Sequence, residues 1–202
     1  MNKQVIKMRP EGSFLHEGFL EFCNFLKQRN VKRILEIGSY AGESINMFKQ
    51  VLGDDILIVA IDPWDTLEDE NDLIHQNDFN QVEQVFNDAV LSQKQIVKCK
   101  VYSQDLVDMF ADGYFDCLYV DGLHTYEQVK IDLELYVSKV KSQGIISGHD
   151  YEIEYTEKQR QEILNFEGND RLRKAVSKAV REVVGEPEYT FSDSSWATFR
   201  KN

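Results

Sequence analysis

Apolar positions along this chain come in two alternating rhythms. Phe14, Leu15, Phe19, Leu20, Phe22, Cys23 and Leu26 recur at helical spacing and predict a helix over Phe14 to Arg29. Val31 to Ile37 then reads as a strand covered on both faces. Glu43 to Leu52 is helical through Ile45, Met47, Phe48, Val51 and Leu52, and Gly53-Asp54 ends it. The rhythm repeats with a strand at Asp55 to Ile61, a helix at Gln81 to Leu91 and a strand at Ile96 to Tyr102. Ser103 to Phe110 reads as a short helix capped by Ser103, followed by a strand at Tyr114 to Val120. Tyr126, Val129, Leu133, Tyr136, Val137 and Val140 mark an amphipathic helix that Gln143-Gly144 stops. A fifth strand starts at Ile145 to Ser147. Leu172, Ala175, Val176, Ala179, Val180 and Val183 give one more helical face. Glu188 to Phe191 and Trp196 to Arg200 read as a closing hairpin. The alternation predicts an α/β, doubly wound, mostly parallel sheet with helices on both faces and an antiparallel hairpin at the C-terminal end.

Two segments break the pattern. Residues 65–80 and 152–169 are rich in charge and amides, and the first is too long for an ordinary connection. Both border the crevice where this architecture binds ligands. Residues 1–30 read as an N-terminal arm and helix, and 31–202 as the main domain. The arm and helix could pack on a second copy of the chain, as a homo-oligomer, or on the domain's own edge.

Composition narrows the partners. The chain has 202 residues, 42% hydrophobic and 29% charged, with a formal net charge of −12. That charge argues against nucleic acid or an anionic membrane as main partner, because both need clustered cations. Cys23, Cys99 and Cys117 have no paired spacing and read as idle thiols in a reducing compartment. No apolar signal core and no run approaching 18 apolar residues is present, which predicts a cytoplasmic protein.

The chemistry gathers at the strand ends, which converge on one edge of such a sheet. The first strand ends in Glu36 and the turn Gly38-Ser39-Tyr40-Ala41-Gly42, with Ser44 opening the helix. Its spacing is not G-x-G-x-x-G and it lacks a P-loop lysine, so neither a dinucleotide nor a triphosphate is the first choice. Asp62 could grip the two hydroxyls of a ribose, or merely cap the turn before Pro63. Ser103 and Gln104 could read an adenine edge, or Ser103 could serve only as a cap. Asp121, His149 and Asp150 could hold a divalent cation, and His124 is a natural general base. Trp64 and Tyr151 either stack on a ligand or seal the top of the sheet. His16 and His75 have no such neighbours and read as surface residues.

Taken together, these motifs resemble class I S-adenosylmethionine-dependent methyltransferases, and more closely the small O-methyltransferases of the catechol and bacterial sugar- and antibiotic-tailoring types. Glu36-Ile-Gly38-Ser-Tyr40-Ala-Gly42-Glu-Ser44 and Ser103-Gln104-Asp105 look like catechol-type motifs. Asp62-Pro63-Trp64, Asp121-Gly122-Leu123-His124-Thr125-Tyr126 and Gly148-His149-Asp150-Tyr151 are similar to tailoring-type ones. The resemblance implies a Rossmann-like seven-stranded sheet with a reversed last strand. It implies that Gly38, Tyr40, Gly42 and Ser44 hold the methionine part of S-adenosylmethionine, with Glu36 supporting the turn. Asp62 would bind the ribose, and Ser103 and Gln104 the adenine. Asp121, which also borders the cofactor, and Asp150 match the metal-binding acids for Mg²⁺ or another divalent ion, and His124 stands where relatives carry a base. Tyr151 replaces the amide ligand of catechol-type enzymes, leaving His149 as the third ligand or none. The implied activity is methyl transfer to a hydroxyl of a small, polyhydroxylated or sugar-like acceptor. The alternatives are a nicotinamide-dependent oxidoreductase and a cofactor-binding module without catalysis.

Overall fold

Strand β1 (Arg33–Ile37) lies at the middle of a seven-stranded sheet with the order β3-β2-β1-β4-β5-β7-β6. Strands β2 (Leu57–Asp62), β3 (Ile96–Lys100), β4 (Phe115–Val120) and β5 (Val140–Gly148) run parallel to it. Strands β6 (Tyr189–Thr190) and β7 (Trp196–Phe199) form the antiparallel hairpin, with β7 paired to β5. This computed structural model describes residues 6, 8–65, 77–90, 92–167 and 172–201. Most of the acid-rich stretch, including His75, and the last residues of the 152–169 segment lie outside the described residues.

Alternation along β1 decides which layer each side chain enters. Ile34 faces one core with Ile58, Cys117 and Tyr119, covered by helices α1 (Phe14–Gln28), α2 (Glu43–Leu52) and α3 (Phe79–Val90). Leu35 and Ile37 face the other core with Val59, Leu118 and Val120, covered by α4 (Tyr126–Tyr136) and α6 (Leu172–Val183). Helix α5 (Glu157–Glu167) follows β5. Among the described residues, no helix is long and apolar enough to cross a membrane.

Strand order reverses between β1 and β4, with Ile37 paired to Val120. That switch point opens the ligand crevice of doubly wound sheets. It sets Gly38 directly against Asp121: a Cβ on Gly38, whose φ is +88°, would lie 2.1 Å from the Asp121 carbonyl oxygen. Glycine is required there on both counts.

Two local expectations are corrected. Gln143-Gly144 does not end a helix; α4 tightens into a 3₁₀ turn at Val137–Lys139, and β5 already begins at Val140. The pairing of β4 with β5 shifts register between Phe115 and Cys117, and Gln143 takes a φ of 60° inside that irregularity. Ser103 opens no α-helix. Two 3₁₀ turns, Ser103–Asp105 and Val107–Met109, stand there. The Ser103 hydroxyl donates to Asp132 on α4 rather than capping its own turn.

The terminal hairpin is clamped against α1. Arg29 lies over the Phe25 ring at 3.5 Å and reaches Tyr189 and Phe199. Gly18 admits the β6–β7 turn so closely that a Cβ would sit 2.3 Å from the Asp193 amide nitrogen. Because the obstacle is backbone, the cost of Gly18→Ala is an overpacking penalty of roughly 1–3 kcal/mol. Urea denaturation should show that loss, and a variant as stable as wild type would contradict this packing.

Candidate functional site

Glu36 is the buried base of the first turn. Its two oxygens accept from Ser44 at 2.5 Å and Ser39 at 2.6 Å. Burial pushes its carboxyl up to about 7, against the two serine hydrogen bonds, and the nearby Asp121 and Asp62 charges add to the rise. Glu36 thereby ties the turn to the start of α2. Gly42, with φ +82°, serves packing: its missing Cβ makes room for Val90 of α3.

Asp62 is also enclosed. One oxygen accepts the Tyr40 amide at 2.8 Å and the other the Trp64 amide at 2.7 Å. Burial raises its pKa while these backbone donors oppose the rise. The Ser39 amide also donates to this carboxylate, so only part of its acceptor capacity is left for a ligand hydroxyl. Tyr40, half-buried, receives Asn77 on its hydroxyl at 2.9 Å and the Trp64 indole N–H on its carbonyl at 2.8 Å. Trp64 packs on Phe86 with Lys98 over its ring, and Tyr151 packs beside Trp196 with its hydroxyl donating to Glu186. Both aromatics therefore seal the sheet.

Beyond β3, Ser103 is buried and Gln104 exposed. The Ser103 hydroxyl donates to Asp132, which also accepts from Gln128 at 3.0 Å, and the Tyr136 hydroxyl donates to the Ser103 carbonyl at 2.6 Å. Burial lifts the Asp132 carboxyl to about 6, with Ser103 and Gln128 resisting.

Across from the glycine turn, β4 and β5 deliver a charged cluster. His124 Nε2 lies 3.3 Å from Asp121 Oδ1 and 3.1 Å from Asp150 Oδ2. His149 Nδ1 lies 3.3 Å from Asp150 Oδ2, and its Nε2 lies 3.5 Å from Asp193 Oδ2 in the β6–β7 turn. Burial alone would lower the His149 imidazole. The Asp150 and Asp121 charges and hydrogen bonds to Asp150 and Asp193 outweigh it and lift it to about 10. Burial would raise Asp150, yet His149, His124 and Arg173 hold it well below the usual carboxylate range.

Three charged partners were not among the strand-end candidates. Arg9, in the arm, binds Glu43 through its amide at 2.8 Å and its guanidinium at 3.2 Å, and reaches toward Asp121 at 4.0 Å. Arg173 on α6 meets Asp150 Oδ1 at 3.2 Å. Asp193 is fully buried. Arg173 did carry a signal, a cation on the stripe of Val176, Ser177 and Val180. Arg9 and Asp193 looked like ordinary arm and turn residues.

Among the described residues seven non-glycine residues have positive φ; Asn30, Gln95 and Gln143 lie elsewhere, and Tyr40, Trp64, Asp150 and Ser194 have φ of 43°, 43°, 57° and 78°. Non-glycine residues held this way cluster at functional sites, and all four border this crevice.

A family model described as a methyltransferase domain matches residues 35–151, which span β1 to the end of the β5 motif. The chain belongs to the methyltransferase-domain family. The resemblance to methyltransferases is thus borne out at the level of the family. The uncharacterized protein y4gI of Sinorhizobium fredii is 28% identical over 130 residues, 60% of this chain and 13% of that relative. The chain therefore spans about an eighth of that relative's length. Cofactor-bound Rv0187 from MTB superposes with a TM-score of 0.61 at 14% identity, covering 100% of this chain and 85% of that one. The O-methyltransferase TomG from Streptomyces achromogenes, in complex with SAM, gives a TM-score of 0.57 at 10% identity over 93% and 80% of the two chains. An O-methyltransferase from Bacillus cereus in complex with SAH gives 0.52 at 14% identity over 97% and 82%. These likenesses establish the methyltransferase fold over nearly the whole chain.

Glu36 yields a pH prediction. Its folded pKa of about 7 exceeds the ordinary 4.5, so the folded state binds the proton more tightly. The resulting stabilisation is full below about pH 4.5 and is lost as pH rises through about 7, by roughly 3 kcal/mol. Glu36→Gln keeps a hydrogen-bonding partner for each serine but does not ionise. Urea midpoints measured across this range should move in the variant's favour as pH rises. A difference independent of pH would contradict an ionisable, strained Glu36.

Proposed function

We propose that this methyltransferase-family protein transfers the methyl group of S-adenosylmethionine to a hydroxyl of a small acceptor. The observation that carries the reading is the Asp121–His124–Asp150 cluster standing against the glycine turn, with Gly38 backed onto the Asp121 carbonyl. In this reading Gly38, Tyr40, Gly42 and Ser44 seat the methionine tail, Asp62 takes the ribose hydroxyls with its remaining lone pairs, and Ser103 and Gln104 face the adenine. The SAM- and SAH-bound O-methyltransferases of the same fold support the cofactor and the oxygen acceptor.

The chemistry asks for positioning and for an activated oxygen. The acceptor oxygen attacks the sulfonium methyl, the C–S bond breaks, and S-adenosylhomocysteine leaves as a neutral thioether. The hydroxyl proton goes to a base, and in this reading that base is the His124 imidazole, beside Asp121 and Asp150. The residues also fit a divalent ion, since Asp121, His124 and Asp150 each bring one ligand atom within 4.8 Å of the others. Such an ion would lower the pKa of the acceptor hydroxyl. Both roles of His124 use the same lone pair, so it serves one or the other.

Incubation with isotopically labelled S-adenosylmethionine and a panel of catechols, sugars and other polyols, with and without Mg²⁺ or Mn²⁺, should label an acceptor oxygen. His124→Ala should lower turnover by about 10²–10⁴-fold while S-adenosylhomocysteine affinity stays near wild type. Thermal stabilisation by NADH but not by S-adenosylhomocysteine would replace this reading with the oxidoreductase. Tight cofactor binding with no transfer to any acceptor would leave a binding module.

A further inference from the structure

Helix α4 carries Gln128, Asp132 and Tyr136 at four-residue spacing, so the three share one stripe of the helix. That stripe meets the Ser103–Asp105 turn beyond β3. Tyr136 donates its hydroxyl to the Ser103 carbonyl at 2.6 Å and so holds the backbone of the turn. Asp132 is 1% exposed. Among the described residues no cation pairs with it. Its donors are the Ser103 hydroxyl at 2.5 Å and the Gln128 amide at 3.0 Å, both on Oδ1. An enclosed carboxylate with only neutral donors is a costly group to keep for packing alone.

Its effect is on where the hydrogens go. A hydroxyl has one hydrogen. The carboxylate at 2.5 Å takes it in preference to Gln104 Oε1, which lies 3.4 Å away. Ser103 Oγ is left with lone pairs only, and one of them receives Gln128 Nε2 loosely at 3.4 Å. The Gln128 amide is fixed in the same way. Its Nε2 faces a carboxylate oxygen that only accepts, so the amide has one orientation. Gln128 Oε1, on the other arm of the planar amide, is turned away from the carboxylate, on a half-buried side chain. Asp132 thereby leaves two neighbours as acceptors on their remaining sides.

We propose that Asp132 is a positioning residue that sets the base selectivity of the nucleoside pocket, leaving Ser103 Oγ and Gln128 Oε1 as acceptors for a 6-aminopurine and against a 6-oxopurine. The inference rests on the reading of this edge as the adenine seat of S-adenosylmethionine. Adenine presents an amino donor at C6, whereas an oxopurine presents a carbonyl acceptor there. Against that carbonyl, the fixed acceptors oppose oxygen to oxygen with no hydrogen between them. The selectivity then comes from α4, an element that the Ser103-Gln104 motif does not contain.

The test compares S-adenosylhomocysteine with S-inosylhomocysteine, its 6-oxo counterpart, by titration calorimetry on the full chain. The pH is held near 8, above the value of about 6 to which burial lifts the Asp132 carboxyl. Wild type should prefer the adenosyl compound by about 10–100-fold. Asp132→Ala removes the acceptor and lets both neighbours turn, so the preference should fall to within about threefold. Asp132→Asn keeps an acceptor oxygen for Ser103 and Gln128 and should restore most of the preference. A merely structural Asp132 gives a different result, because Asp132→Ala would then weaken both ligands by the same factor. That outcome, or equal binding of the two ligands by wild type, would overturn the proposal and leave the cofactor reading standing. If Asp132→Ala fails to fold, Gln128→Met decides: a reduced preference supports the proposal, and an unchanged one overturns it. No binding of S-adenosylhomocysteine by wild type would overturn the cofactor reading and the proposal together.

Discussion

Taking a carboxylate out of water costs several kcal/mol unless something returns what the water supplied, and this protein does so repeatedly at one edge of its sheet. Asp150 and Asp193 are buried there, and Asp121 is half-buried. The compensation is cationic: His149 lies between Asp150 and Asp193, Arg173 touches Asp150, and Arg9 reaches toward Asp121. Each of these partners comes from a different element, so the counter-charges are complete only when β4, β5, the hairpin turn, α6 and the N-terminal arm are all in place. Tertiary packing and site assembly are therefore one event.

The other half of the crevice solves the same problem differently. Glu36 and Asp132 are buried but have hydroxyl and amide donors in place of cations. Hydrogen bonds alone do not offset desolvation, and both carboxyls are pushed up, to about 7 and about 6. The edge thus divides into a half that carries fixed charge, suited to activating an acceptor, and a half that stays near neutral.

The fold and the convergence of the strand-end residues were legible because they follow short-range rules. The β1 run, the glycine turn and the strand-end acids each state their position through local pattern, and Glu36, Asp121, His124, His149 and Asp150 do meet at one edge. What escaped is long-range. Ser103 looked like a cap because Ser is a good cap; only the arrival of α4 offered Asp132 instead. Gln143-Gly144 looked like a helix stop because the irregular pairing of β4 with β5 carries no periodicity. Trp64 and Tyr151 could have faced a ligand, and the packing of Phe86 and Trp196 decided against it. Asp193 sits in a Ser/Asp turn, which is what turns contain for their own reasons.

The division between what the family supplies and what this chain adds runs through the site itself. The matched region, residues 35–151, holds the glycine turn, Asp62, Ser103, Asp121, both histidines and Asp150. Arg9, Arg173 and Asp193 all lie outside it. The matched core therefore provides the groups that could bind cofactor and cation, and the flanking segments provide the counter-charges that let those groups be buried. Helix α1 joins the two flanks, because Arg9 stacks over Phe19 at 4.8 Å while Gly18, one residue earlier, admits the Asp193 backbone. A change on that helix far from any reacting atom would loosen Arg9 and Asp193 together. It would reach Asp121 through one and His149 through the other, so the chemistry at the strand ends depends on a helix that touches none of it.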